Sequence, residues 1–391
     1  MQRLVQLVAR ISFKLRKTPE IPVVSGKNTI EGLCGDIVQK KIKSVFIASG
    51  KTIRKRGMLD KLIEKMESEN INVVVFSDIV SDPTSENVEN GVKLFNENKC
   101  ECVIAAGGGS VLDCAKVIAL RAANPHISLN LMYMHVIPCR KAVPLYAVPT
   151  TSGTGSEVTY FSVVTNTEKN KKKIVISDKF LPEKIIFDYE LLRQVPEKPT
   201  IYSGLDALTH SIESFISTNS RFFADDITSA PEVCRDIFRY LPLAARDPDN
   251  EEARLKMSYA AYLAGLNFRK VCVGYVHALA HRLGEMYGIP HGLACAVTLP
   301  VVLKEYLPKV SERLCDLAVK SGIARSAEEF IDKIIELELN LGITAGFRGI
   351  DKKDYPVMVK RVQFEVMTQG CPVRFDSKKI ENIFDEITIS D

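Results

Sequence analysis

Between residues 44 and 123 the chain alternates two kinds of segment, and this alternation restricts the fold more than any other feature. SVFIAS (44–49), NVVVFSD (72–78) and CVIAAGGGS (102–110) are β-rich runs, the last one entering a glycine turn. Between and after them lie MLDKLIEKMESEN, SENVENGVKLFNEN (85–98) and VLDCAKVIALRAA (111–123), with apolar residues at helical spacing. Strands alternating with helices of this length predict a parallel, doubly wound sheet. LYAVPTTSGTGSEVT (145–159) adds a strand that ends in a polar, glycine-containing loop. After about residue 185 the strand signals fade. Long helical patterns follow, such as EEARLKMSYAAYLAGLNF (251–268) and AEEFIDKIIELELNLG (327–342), with PEKPTIYSG (196–204) as the entry. The expectation is an α/β N-terminal domain over residues 1–188 and an all-α C-terminal domain over 189–391. A chain of 391 residues, 46% of them apolar, is long enough for two packed cores.

Composition removes several classes of function. The 52 cationic and 48 anionic side chains are interspersed, so no basic face argues for nucleic acid. No apolar run reaches the length of a membrane span. Ten cysteines lie scattered without C-x-x-C spacing, as expected of reduced thiols acting as small hydrophobes inside a cell. The start, MQRLVQLVARISFKLRK, has five cations and no acid before Glu20. A surface element is expected there in a cytoplasmic protein, with an organelle transit peptide as the alternative. The lysines at 171–173 are expected at a solvated hairpin tip.

Gly107, Gly108 and Gly109 stand directly between a strand and a helix. Glycines there let a ligand approach the backbone, and a helix N-terminus offers free N–H groups to a phosphate. A tight strand-to-helix turn is the plain alternative. PTTSGTGS supplies a second loop at the end of another strand, and two such loops form the usual ligand crevice of open α/β sheets.

Only six histidines occur in the chain, and three of them fall within His277–His291. A fourth, His210, follows Asp206 by four residues, and His277 and His281 are also i and i+4. Each pair therefore shares a helix face. One carboxylate and several imidazoles converging on a point suit a divalent metal such as Fe(II) or Zn. The spacing leaves open which histidines bind and which one stands by.

Four motifs carry a resemblance. GGGSVLDCAK (107–116), PTTSGTGSEVT (149–159), GLDALTHSIESF (204–215) and GYVHALAHRLGEMYGIPHG (274–292) come in the order and spacing of the iron-containing (group III) alcohol dehydrogenases. The chain resembles that family from about residue 20 to its last residue. The resemblance implies a dinucleotide-binding α/β domain followed by a helical metal-binding domain. It implies Asp206, His210, His277 and His291 as metal ligands, with Fe(II) or alternatively Zn as the metal. His281 matches a histidine near the metal, assigned to proton transfer or to orienting the site. Gly107, Gly108, Gly109 and Ser110 match the pyrophosphate loop, with Asp113 nearby. Thr150, Thr151 and Thr159 match residues around the nicotinamide half of the cofactor, and Lys173 a lysine near the ribose.

By the same resemblance the chain interconverts small primary alcohols and aldehydes with NAD(H) or NADP(H). The metal activates the substrate oxygen and the nicotinamide carries the hydride. A homo-oligomer is expected, with no membrane or nucleic-acid partner. Phe161, Phe268 and Met367 are candidate apolar pocket walls. Two departures stand out. NAD-preferring members carry an Asp after the first strand, where this chain reads ASGKTI (48–53) with Gly50. An Asp there would bind the ribose 2′-OH and repel a 2′-phosphate, so its absence, with Lys51 and Arg54 close by, points to NADP(H). QGCPVRF (369–375) stands where many members read G-N-P-R. Two rivals remain: a lyase of the dehydroquinate synthase type, and a nucleotide- and metal-binding protein without catalysis.

Overall fold

The computed structural model describes residues 19–389, apart from 134–138, 169–170, 366–367 and 369. The N-terminal stretch that raised the transit-peptide question and Met367 thus lie outside the described residues. The described residues form two compact units. One runs up to Val195 and takes in Pro248–Ser258; the other comprises Pro196–Asp247 and the residues from Tyr259 onward.

The first unit is built on a six-stranded, all-parallel sheet. Its strands are β1 (Val23–Gly26), β2 (Ser44–Gly50), β3 (Asn72–Ile79), β4 (Cys102–Gly107), β5 (Leu145–Pro149) and β8 (Lys184–Asp188). They lie in the order β1-β8-β5-β4-β2-β3. β4 and β5 are buried along their whole length, and β2 nearly so. That burial explains why they read as unbroken apolar runs rather than alternating ones. On one face, α1 (Leu33–Gln39) and α2 (Asp60–Ser68) set Leu33, Ile37, Leu62 and Met66 against Val45, Ile47, Ile104 and Val148. On the other, Phe95 of α3 (Ser85–Glu97) and Phe76 pack on Phe46, ring centroids 5.8 and 5.9 Å apart. α4 (Gly109–Ala123) lies beside α3, so close that a side chain on Gly91 would run into Ile118. Helices on both faces make the sheet doubly wound, as expected.

One local reading changes. The lysines at 171–173 are not a hairpin tip: they open β7 (Lys171–Ile176), which pairs antiparallel with β6 (Phe161–Asn166). Lys172 reaches Asp82 at 2.7 Å, so this strand is lysine-rich because its outer face meets solvent and acid. The helix expected over MLDKLIEKMESEN is present as α2; a short helix, Lys51–Lys55, precedes it, and Gly57 turns the chain between them with φ 65°.

The second unit is helical. α5 (Glu197–Ile216) packs against both α6 (Ala230–Arg246) and α9 (His291–Ser321), and α8 (Tyr275–Tyr287) lies along α9. The part of α7 (Glu251–Val271) from Tyr259 onward precedes α8, and α10 (Ala327–Asn340) follows α9. Pro196 caps α5, where the two-proline segment marked the entry to the helical half. Among the described residues no helix is long and apolar enough to cross a membrane.

A candidate metal centre and a candidate nucleotide crevice

Asp206, His210 and Glu213 lie on one face of α5, and all three are buried. Spacings of four and three residues place them on successive turns. Asp206 and His210 were expected at the site, but Glu213 was not. Its carboxylate accepts hydrogen bonds from the backbone N–H of Gly274 (2.8 Å) and Val276 (2.9 Å). These are free donors at the N-terminus of α8. It also accepts one from His277 Nδ1 at 2.7 Å. A carboxylate only accepts, so Nδ1 carries the proton and the Nε2 lone pair of His277 points the other way. Gly274 is required at this approach, since a side chain there would collide with Glu213.

His277 Nε2 faces Asp206 Oδ1 at 3.5 Å. His291 Nε2 stands 3.5 Å and His210 Nε2 3.9 Å from the same oxygen. His210 stacks between Phe268 and His277, with centroids 4.1 and 4.4 Å away. Gly288, in the left-handed region at φ 65°, ends α8 and lets Ile289-Pro290 turn the chain into α9, whose first residue is His291. Gly292 follows it. A side chain at Gly292 would run into the backbone carbonyl of Tyr202, so glycine is what lets α9 start against α5 one turn before Asp206.

Burial alone would raise the Asp206 pKa. The positive ends of His210, His291 and His277 outweigh that and hold the carboxylate below its usual range. For His277, burial acts to lower the pKa, but Asp206 and Glu213 together lift it to about 9. Asp206 Oδ1 and His277 Nε2 are buried without a hydrogen-bond partner. Leaving such atoms unsatisfied is costly, and a divalent cation among them removes the cost. These residues therefore fit the metal that the resemblance implies. One donor atom each from Asp206, His277, His291 and Cys295 lies within 4.8 Å of the others; His210 is not part of this tighter group. His281 sits outside that group. Its ring stacks on His291 (5.3 Å), and its Nδ1 lies 3.7 Å from Glu365.

In the first unit, the parallel register places Ser49 beside Ala106 and Gly107 beside Pro149. Gly50, Gly107–Gly109, and Thr150 with Thr151 thus stand at the carboxyl ends of three neighbouring strands. The strand order reverses there, β2 leading to one side and β4 to the other. Gly108 caps α4 in extended backbone, leaving the first N–H groups of that helix open to an anion. The glycines also serve packing. Side chains at Gly108 and Gly109 would press on Thr151 and Thr154 at 3.2 and 2.7 Å, so the PTTSGTGS loop lies directly on this turn.

Asp113 holds that loop from below. It accepts from Ser156 Oγ (2.5 Å) and from the backbone N–H of Val163 (2.8 Å). Lys116, absent from the sequence-level candidates, is fully buried. It donates to the Ser156 carbonyl (2.9 Å), to Thr159 Oγ1 (3.2 Å) and to the Phe161 carbonyl, and lies 4.9 Å from the Phe180 ring centroid. Thr159 is buried with it. Ser110 donates to the Ser81 carbonyl, and Lys173 is half-buried in β7 opposite Val164. Gly50 is the last residue of β2, with open space where a side chain would go.

Glu157 is buried in this loop, and burial pushes its pKa up to about 7, against the opposing pull of its backbone hydrogen bond and the Lys116 charge. A raised folded pKa means that stability is highest below the unfolded value of roughly 4.3 and declines as pH climbs through about 7. Glu157→Gln should therefore raise the unfolding free energy at pH 8, by roughly 3 kcal/mol from the pKa difference, with the gain shrinking toward pH 5. Urea titrations at the two pH values check this; an equal effect at both would show that Glu157 ionises as in water.

Comparison with known proteins places the chain. The family model for iron-containing alcohol dehydrogenase matches residues 21–189, and the Fe-containing alcohol dehydrogenase family, C-terminal, matches residues 200–388. "Alcohol dehydrogenase 4" of Schizosaccharomyces pombe is 34% identical over 367 residues, covering 92% of this chain and 86% of that protein. Among solved structures, 1,3-propanediol oxidoreductase superposes with a TM-score of 0.86 at 31% identity, covering 95% of this chain and all of the other. Sulfoacetaldehyde reductase from Bifidobacterium kashiwanohense, solved with NAD+, gives 0.86 at 28%, covering 96% and 100%. With both halves matched and this identity over nearly its whole length, the chain belongs to the iron-containing alcohol dehydrogenase family.

Proposed function

We propose that the chain is a metal-dependent, NAD(P)-linked oxidoreductase that interconverts small primary alcohols and aldehydes by hydride transfer. The observation that carries the reading is the Asp206 carboxylate oxygen, buried, unpartnered, and faced by three imidazole nitrogens. Asp206, His210, His277 and His291 hold Fe(II), with Zn as the alternative, and the bound metal supplies a Lewis acid for the substrate oxygen while the nicotinamide supplies or takes the hydride. Glu213 fixes the His277 tautomer, as carboxylates behind ligating histidines do. His281, half-exposed between His291 and Glu365, is placed to pass a proton toward solvent. Phe268, stacked on His210, supplies apolar surface beside the ligands and favours an unbranched substrate over a polyol. The Gly107–Ser110 turn takes the pyrophosphate, held in shape by Asp113. Thr150, Thr151, Thr159 and Lys173 belong to the remaining cofactor contacts. A cytoplasmic homo-oligomer completes the reading, and the mixed surface charge supports the absence of a nucleic-acid partner.

The cofactor choice rests on Gly50. The nearby cations are paired only at the surface: Lys51 with Asp78 at 3.5 Å and Arg54 with Asp60 at 2.7 Å. Exposed pairs are worth at most about 1 kcal/mol, so either cation is free to turn to a 2′-phosphate. The chain should use NADPH at least as well as NADH. Gly50 has an ordinary negative φ and open space beside it, so Gly50→Asp fits without strain. That variant should shift the ratio of specificity constants toward NADH by roughly tenfold or more, the worth of one charge-assisted hydrogen bond. Initial rates with both cofactors and a panel of short aldehydes measure it. A wild-type preference for NADH of tenfold would overturn the Gly50 argument; no oxidation of either cofactor with any aldehyde would overturn the dehydrogenase reading.

A further inference from the structure

We infer that Cys295 is a metal ligand in this chain, adding a sulfur donor to the carboxylate and imidazoles and biasing the centre toward zinc over ferrous iron. The inference rests on the metal-site reading above and goes beyond it, because neither the four-residue ligand set nor the resemblance includes a thiol. Cys295 lies one turn after His291 on α9, so the two side chains share a face. It is fully buried, and its Sγ stands 3.7 Å from His291 Nε2. Its sulfur falls within the 4.8 Å group formed with Asp206, His277 and His291. Two of those partners, Asp206 Oδ1 and His277 Nε2, are buried atoms with no hydrogen-bond partner, so both have donor capacity left for a shared cation.

A scattered buried cysteine elsewhere in the chain packs as a small hydrophobe. Cys34, Cys114 and Cys234 lie in no such group of donor atoms among the described residues. Cys295 differs because its neighbours are themselves donor atoms. On binding, the thiol gives its proton to solvent and coordinates as thiolate. Thiolate and carboxylate together then balance the charge of a divalent ion. Softer sulfur donors favour zinc, whereas nitrogen and oxygen donors alone suit ferrous iron as well.

Cobalt(II), loaded anaerobically into the full chain, reports both levels. The wild type should show visible d–d bands of a bound ion and a near-ultraviolet sulfur-to-cobalt charge-transfer band. Cys295→Ser should keep the d–d bands and lose the charge-transfer band, and Cys295→Ala serves equally if the serine variant does not fold. In competition dialysis against zinc and ferrous iron, the zinc-to-iron affinity ratio should drop at least about tenfold in the variant, within the range for a lost metal-site partner. Cobalt d–d bands without charge transfer in the wild type, or charge transfer that survives in both variants, would overturn the inference while leaving the metal site standing. Failure of the wild type to retain cobalt at all would overturn the metal-site reading, and this inference with it.

Discussion

Asp206→Asn should reduce metal affinity by at least about 100-fold and abolish turnover at micromolar metal. Removing a group that merely orients a ligand costs up to about 100-fold, and Asp206 is both a ligand candidate and a charge at the centre of the cluster. Three ring nitrogens aim at its Oδ1. Asparagine keeps the shape and loses the charge. Its amide nitrogen, if turned inward, would fill the ion's place. The residue is 3% exposed, so water does not replace the lost charge. Metal content after dialysis, measured by atomic emission, reads the effect directly. Far-ultraviolet circular dichroism should match the wild type, because the helix backbone does not depend on the carboxylate. A variant that keeps one metal per chain and normal activity would place the centre elsewhere.

Gly292→Ala should damage the site through the backbone. Its new methyl group would run into the Tyr202 carbonyl, which is part of α5 and has no freedom to swing aside as a side chain does. Either α9 moves off α5 or the start of α9 unwinds. Both carry His291 away from Asp206. Overpacking of this kind costs on the order of 3 kcal/mol, and a misplaced ligand adds lost metal affinity. The expected result is a lower thermal midpoint in both metal-free and metal-loaded protein, with a smaller stabilisation by added metal than the wild type shows. If the variant melts like the wild type and binds metal normally, the helices tolerate separation and Gly292 is not what sets the ligand spacing.

The pattern of what could be read in advance follows from physics. Strands β2 and β4 announce themselves because sheet burial on both faces demands continuous apolar runs, and the half-buried edge strand β3 by its run of three valines. β1 and β8 are four and five residues long, and too short to stand out. The lysines of β7 hid a strand because only one of its faces packs, and cation-rich strands read as loops. The cluster of Asp206, His210, His277, His281 and His291 was legible because histidine is scarce here and two of its pairs stand at i, i+4 spacing; setting His281 apart from the ligands came from the family resemblance alone. Glu213 escaped notice, although a third polar residue at the i+7 position of an otherwise buried face was the available signal. Lys116 gave none: one lysine in a helix normally lies outside, and only the folded loop shows four oxygens turned toward it. Cys295 read as core for the same reason, since its helix brings donors from α5 and α8 that lie far away in sequence.

Anaerobic titration of metal-free wild-type protein with ferrous iron, followed by aldehyde-dependent oxidation of NADPH at each point, tests the central claim most directly. Turnover should be absent without metal, rise linearly and saturate at one ion per chain, with bound metal and rate tracking each other. Full turnover from metal-free protein, or saturation of binding without any turnover, would contradict it.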